Sequence, residues 1–87
     1  MKRYFKHEGE SNLGLGMVYL EFDDNRASRQ VETYGDKWFI SNESYHPETG
    51  GLSLCDQPLS ELDLGEEHEI SKNDFDNIWN QALKNIR

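Results

Sequence analysis

Alternating apolar and polar positions in the first half of the chain predict β-strands. The clearest run covers residues 17–23 (MVYLEFD), in which Val18, Leu20 and Phe22 fall on one face of an extended chain. Weaker alternation predicts three further strands, at 3–8, 27–34 and 37–41. The pattern therefore favours a small sheet built from neighbouring strands.

Turn residues separate these runs and set their order. The stretch 9–16 carries three glycines and favours a hairpin connection, while Asp24 and Asn25 tolerate the positive φ that a tight turn needs. Gly35 and Asp36 form a two-residue spacer that is typical of a β-hairpin. Short connections join antiparallel neighbours, so we expect an antiparallel β-meander of three to four strands.

The C-terminal part follows a helical period. Apolar residues recur at i, i+3, i+4, i+7, i+8 and i+11, namely Phe75, Ile78, Trp79, Ala82, Leu83 and Ile86. Ser71 stands where an N-cap belongs and can accept a hydrogen bond from the backbone of Asp74. A helix over 72–86 is marginal on its own, so its apolar stripe must pack on the sheet. The expected fold is α+β, a single domain over 1–87 with one C-terminal α-helix packed on one face of the sheet.

Charge changes the interpretation of the stretch between sheet and helix. The chain has 17 acidic and nine basic residues and a formal charge of −8. Residues 43–71 contain no Lys or Arg and hold eight of the acids: Glu43, Glu48, Asp56, Glu61, Asp63, Glu66, Glu67 and Glu69. We expect a long acidic loop at 42–70, anchored by its five leucines. It is either a solvated loop kept soluble by charge or a surface that meets a basic partner.

Composition excludes several classes of protein. No apolar run approaches the about 20 residues that span a bilayer, and no secretory signal follows Met1. The single Cys55 permits no internal disulfide, so we expect a cytoplasmic protein. The acidic balance argues against direct binding of nucleic acid or of a membrane, because phosphate binding depends on Lys and Arg.

Candidate catalytic and metal-binding residues are few. Cys55 could pair with His46 or His68, but its acidic surroundings disfavour the thiolate that a nucleophile needs. The run at 66–69 (EEHE) offers metal-ligand types, yet four consecutive residues do not converge on one ion. We therefore expect no enzyme activity, no metal and no cofactor.

Aromatic residues offer a candidate binding surface. Tyr19, Tyr34 and Phe39 lie on strand faces opposite Val18, Val31 and Trp38, so they are exposed if nothing covers their face. The alternative is that both faces are covered, the second by the long loop. The hypothesised partner-binding residues are Tyr19, Tyr34, Phe39, Tyr45, Glu61, Glu66 and Glu67.

Several of these segments resemble a family of small bacterial proteins of unknown function. The resemblance lies in residues 19–23 (YLEFD), 29–32 (RQVE), 34–36 (YGD), Pro58-Leu59, and 74–76 (DFD) with Trp79. It implies a bacterial or phage source and a small α+β fold, with no assigned activity. In size and acidity such domains look similar to toxin-immunity proteins.

Together these features predict a non-enzymatic, acidic protein-binding domain. We expect an immunity- or inhibitor-type partner of a basic protein such as a nuclease. Two alternatives stay open: a self-associating structural or accessory protein, and a phage-encoded inhibitor that mimics nucleic acid. Homo-oligomerisation is possible through an open sheet edge or an exposed aromatic face.

Overall fold

The fold is an antiparallel sheet with one helix packed across it, as the pattern predicts. A computed structural model describes residues 1–42 and 57–86. The elements are β1 (Lys2–Ser11), β2 (Gly14–Asp23), β3 (Arg26–Tyr34), β4 (Lys37–Asn42), 3-10 turns at Leu59–Glu61 and Glu66–His68, β5 (Glu69–Ile70) and α1 (Lys72–Ile86). The sheet order is β4-β3-β2-β1-β5, with every neighbouring pair antiparallel. The α+β prediction and the helix bounds are confirmed.

The first hairpin is longer than the prediction of strands at 3–8 and 17–23. Its turn consists only of Asn12 and Leu13, and Gly9 lies directly opposite Gly16 within the ladder. A Cβ at Gly16 would lie 1.9 Å from the Thr33 carbonyl oxygen. That glycine therefore serves a close approach between neighbouring strands rather than a loop, which the sequence pattern does not distinguish.

The predicted acidic loop over 42–70 is wrong at both of its described ends. Asn42 belongs to β4, and residues 57–70 form the two 3-10 turns and the edge strand β5. β5 adds a fifth strand through pairing with Tyr4 and Phe5 of β1. A two-residue strand carries no periodicity, so only its tertiary pairing reveals it. Residues 43–56 lie outside the described residues.

One face of the sheet, the helix face, packs against α1. Its buried cluster contains Tyr4, Val31, Ile40, Phe75 and Ala82. Ser71 caps the helix as expected, since its Oγ accepts a hydrogen bond from the Asp74 N–H at 3.1 Å. The helix thus begins one residue after β5 ends, and its apolar stripe packs on the sheet.

The opposite face, the loop face, packs against residues 59–64. Phe5, Val18, Leu20 and Phe22 form its buried cluster, against which Ala27, Leu59, Leu62 and Leu64 pack. The interpretation that both faces are covered is confirmed, because the acidic segment itself supplies the second apolar layer.

Candidate functional site

The described part of the acidic segment, residues 57–70, is anchored to the sheet by its leucines. Leu59, Leu62 and Leu64 pack on the loop face and are partly buried there. Glu61 and Asp63 alternate with them and are exposed. The leucines hold the segment against the sheet, while the carboxylates of Glu61 and Asp63 stay exposed to solvent.

Hydrogen bonds fasten the N-terminal end of this segment to the turn between β2 and β3. The Asn25 carbonyl oxygen accepts the Leu59 N–H at 3.0 Å, and Asn25 Oδ1 accepts the Ser60 N–H at 2.9 Å. Asn25 Nδ2 donates in return to Ser60 Oγ at 3.3 Å. Three bonds to one asparagine fix the position of Leu59 and Ser60, near the start of residues 57–70.

Arg3 fastens the C-terminal end. Its guanidinium donates to both carboxylate oxygens of Glu69, at 3.0 and 3.1 Å, and its Cζ lies 5.1 Å from the centre of the Phe5 ring. The hydrogen bond from Arg3 lowers the pKa of Glu69, and the charge of Arg3 acts in the same direction. Glu69 is therefore committed to a contact within the chain rather than to a partner.

The other four acids of the segment are exposed and largely uncompensated. Within the described residues, no cationic group lies within 4.0 Å of Glu61, Asp63 or Glu66. Glu67 approaches only His68, with 3.6 Å between Oε1 and Nδ1. His68 Nδ1 also accepts the Gly65 N–H at 3.2 Å. The four carboxylates thus present a net negative surface, which we call the acidic surface.

A shallow cleft opens within the acidic surface. It has a volume of about 240 Å³ and is lined by His7, Leu62, Asp63, Leu64 and His68. Apolar leucines beside a carboxylate and two imidazoles suit a long side chain with a cationic end, because the stem packs while the charge pairs.

The predicted aromatic residues do not join this surface. Tyr19 lies on the helix face, partly buried beside the core, whereas Tyr34 and Phe39 lie on the loop face. Tyr34 is only 5% exposed, and its hydroxyl donates to Glu32 Oε1 at 2.6 Å. Burial and that hydrogen bond raise its pKa to about 12.

The sequence predicts exposure of the aromatics only for an uncovered face, and Tyr34 is instead buried, beside Phe39 and the backbone of Gly16. Phe39 is half-buried, with its ring centre 6.3 Å from that of Tyr34. Tyr45 lies outside the described residues. Of the hypothesised binding residues, Glu61, Glu66 and Glu67 share the acidic surface.

A buried charge cluster on the helix face is absent from the sequence-based expectations. Glu21 is only 1% exposed. Arg29 binds it through two hydrogen bonds, Nη2–Oε2 at 2.6 Å and Nε–Oε1 at 3.0 Å. Ser28 Oγ donates to Oε1 at 2.6 Å, and Arg29 Nη2 also reaches Asp76 Oδ1 of α1 at 3.0 Å. Glu21 and Arg29 are direct cross-strand partners of opposite charge, which is the signal that could have revealed the pair.

The charged and polar groups of this cluster are paired with one another, and the cluster therefore stabilises the fold. Arg29 lies over the rings of Phe75 and Trp79, with its Cζ 4.9 and 5.1 Å from their centres. Burial alone acts to raise the pKa of Glu21, but the hydrogen bonds from Arg29 and Ser28 outweigh it and lower the pKa to about 2. In the described residues every buried side-chain N and O atom has a hydrogen-bond partner. The cluster joins helix to sheet and leaves no atom for a ligand.

Residues 1–42 and 57–86 bring together no group of three His, Cys, Asp or Glu side chains that could hold a metal ion. Over the same residues, no helix combines the length and apolarity needed to cross a membrane. Comparison of the chain with protein-family models, curated proteins and solved structures finds no significant match in any of the three. The resemblance to a family of small bacterial proteins therefore stays a prediction.

Proposed function

We propose that this protein is a non-enzymatic binding domain whose acidic surface recognises a basic protein. The partner is of the class that immunity proteins and inhibitors neutralise, such as a nuclease, in the cytoplasm of a bacterium. One observation carries the proposal: within residues 1–42 and 57–86, four exposed carboxylates have no Lys or Arg side chain within 4.0 Å, and they lie on a segment fixed to the sheet by Leu59, Leu62 and Leu64.

Fixed anchoring favours a binding role over a role in solubility alone. Like charges held close together repel each other and oppose the compact state, whereas a loose loop would let them separate. Here packing, the bonds to Asn25 and the pair of Arg3 with Glu69 hold residues 57–70 at both ends. A preorganised charged surface steers a partner of opposite charge and loses little entropy on binding.

The cleft supplies the short-range part of the recognition. Electrostatic steering raises the association rate, but affinity usually depends on a few buried anchor residues. The cleft beside Asp63 can receive a long cationic side chain of the partner, with Leu62 and Leu64 against its stem. The same surface thus serves both the electrostatic encounter with the partner and the anchoring of the partner's side chain.

Affinity capture with matched charge variants tests the proposal. The protein is immobilised as wild type, as the reversal Glu61→Lys, Glu66→Lys, Glu67→Lys, and as a control reversal of three other exposed acids, Glu8→Lys, Glu10→Lys, Asp36→Lys. All three are exposed to a lysate of the source organism at low salt. We expect wild type and control to retain the same basic protein and the first reversal to lose it. Equal capture by both reversals would contradict the proposal.

Competition separates this function from its close variant, nucleic-acid mimicry. A mimic occupies the partner's phosphate-binding site, so duplex DNA or RNA would displace the protein from the captured partner at constant ionic strength. Displacement of the protein by nucleic acid would show that it acts as a mimic. A ternary complex of protein, partner and nucleic acid would show that the protein binds at another site of the partner.

A second candidate, self-association, rests on the β1–β2 hairpin. At its tip Leu13 is 52% and Leu15 75% exposed. β5 covers only Tyr4 and Phe5, so residues 6–11 of β1 have no strand on that side within the described residues. Sedimentation velocity tests this candidate: it requires a dimer that grows with concentration and disappears in Leu13→Ser, Leu15→Ser. A monomer at all concentrations would exclude it.

A further inference from the structure

A second cleft lies on the helix face, away from the acidic surface. It has a volume of about 360 Å³ and is lined by Lys6, Tyr19, Ile70, Asp74, Asn77 and Ile78. This volume falls at the lower end of the about 300–1,000 Å³ that is usual for small-molecule sites. It suits a molecule about as large as one amino acid.

The topology of the sheet produces this cleft. Lys6 and Tyr19 are direct partners across β1 and β2, and Tyr19 is in turn opposite Val31 of the helix-face core. The helix α1 packs most closely on β4, at the far edge of the sheet. In the first turn Phe75 packs on Tyr4 of β1, and beside this contact Asp74, Asn77 and Ile78, at helical spacing i, i+3 and i+4, form the helix wall of the cleft.

The lining combines an apolar floor with polar groups of both charge signs. Ile70, Ile78 and the ring of Tyr19 are partly buried. Within the described residues, the side-chain polar atoms of Lys6, Tyr19, Asp74 and Asn77 take part in no hydrogen bond or ion pair; the hydrogen bond between Asp74 and Ser71 uses the backbone N–H of Asp74. Tyr19 is partly buried, and this burial raises its pKa.

Charge selects the class of ligand. A simple anion is attracted by Lys6 but repelled by Asp74 and by a chain of net charge −8. A simple cation is attracted by Asp74 and repelled by Lys6. A molecule of zero net charge with one carboxylate, one ammonium group and an apolar side chain can pair with both Lys6 and Asp74 and also pack on the apolar floor.

We propose that this cleft binds a free α-amino acid with an apolar side chain. The carboxylate lies against Lys6 Nζ and the Tyr19 hydroxyl, the ammonium group against the Asp74 carboxylate and Asn77 Oδ1, and the side chain against Ile70 and Ile78. An internal peptide residue has neither charge and a terminal residue has only one, so both bind more weakly. This site is independent of the acidic surface and does not depend on the proposed function.

Three probes with the same aromatic group test the site by ¹H–¹⁵N NMR titration of the full chain. L-phenylalanine carries both charges, N-acetyl-L-phenylalanine only the carboxylate, and L-phenylalaninamide only the ammonium group. We expect saturable shifts for L-phenylalanine at the amides of Lys6, Tyr19, Ile70 and 74–78. The other two probes should bind about fivefold more weakly, the loss expected for one partly exposed charge contact.

Matched variants locate the binding. Lys6→Met and Asp74→Asn should each weaken L-phenylalanine binding about fivefold, whereas Lys84→Met and Asp36→Asn, which make the same charge changes elsewhere, should leave it unchanged. The proposal is overturned by equal binding of the three probes or by shifts outside the cleft. It is also overturned by the absence of saturable shifts up to about 20 mM, well above the millimolar dissociation constants expected of so small a ligand.

Discussion

Among single residues, Glu21 makes the densest set of polar contacts in the described structure. Arg29 and Ser28 donate to its carboxylate, and Lys2 Nζ lies 3.7 Å from Oε1. The carboxylate is 1% exposed and stays ionised because these donors offset the loss of hydration.

Its neighbour Ser28 is the extra residue of a β-bulge, since Glu21 pairs with Arg29 and Phe22 with Ala27. The bulge thus brings one more donor to the buried charge.

Glu21 makes the free energy of unfolding depend on pH. Its folded pKa of about 2 lies below the ordinary value of 4.5, so it contributes stability above pH 4.5 that is lost as pH falls toward 2. A shift of this size corresponds to a contribution on the order of 3 kcal/mol. Urea unfolding at a series of pH values should show a loss between pH 4.5 and 2 that Glu21→Gln reduces by this amount.

The matched control for this experiment is Glu8→Gln, an exposed carboxylate for which the same loss of charge should leave the pH profile unchanged. Glu21→Gln should also be less stable at pH 7, because Arg29 loses the carboxylate that accepts two of its hydrogen bonds and keeps only Asp76 as a charged partner. A pH profile identical to that of the wild type would show that Glu21 is not the ionised centre of the cluster.

For Glu21, the sequence predicts the face of the sheet on which the side chain lies but not its burial. Strict alternation assigns it to the same face as Tyr19, which is correct. Whether that face is exposed to solvent or buried depends on where α1 packs on the sheet, and no local sequence pattern predicts this packing. Tyr34 fails in the same way: its face is predictable, but its burial follows from packing on the loop face.

Among the elements, predictability follows the length of the repeating pattern. The helix has six apolar positions in register and a serine cap, and its predicted bounds 72–86 are those observed. β2 and β3 alternate over enough residues to be recognised. The first hairpin is underestimated because Gly9 and Gly16 occur inside strands, and β5 is missed because two residues have no period.

The acidic segment is held by packing, and truncating one anchor tests this. Leu62→Ala removes side-chain contacts with the cluster around Phe5 and Leu20, so we expect a loss of about 1–2 kcal/mol, below the range for fully buried leucines. The amides of Ser60, Leu62 and Gly65, which are hydrogen-bonded within the segment or to Asn25, should exchange faster with deuterium.

Leu15→Ala is the control for this prediction, since Leu15 is 75% exposed and packs on no core. It should change neither stability nor the exchange of these amides. Unchanged exchange at Ser60 and Gly65 in Leu62→Ala would mean that the leucines do not fix the segment, and the acidic surface would then lose its preorganisation.

At the scale of the whole molecule, the charge is unevenly distributed. Residues 43–71 carry eight acids and no base, while the rest of the chain carries nine of each. The sequence therefore predicts which segment is acidic. The structure adds that its described part covers the loop face as an anchored layer, with four carboxylates turned outward. Sequence alone favours a solvated loop over a binding surface, because anchoring is a tertiary property that the pattern does not show.

The association rate with the captured partner, measured as ionic strength rises, tests the central claim most directly. Charge steering is screened over a Debye length of about 10 Å at 0.1 M salt. The wild-type rate constant should therefore fall steeply with salt, while dissociation changes little. The variant Glu61→Gln, Asp63→Asn, Glu66→Gln, Glu67→Gln should associate slowly at low salt and respond weakly to it. Identical association rates for the two proteins at every salt concentration would contradict a binding role for the acidic surface.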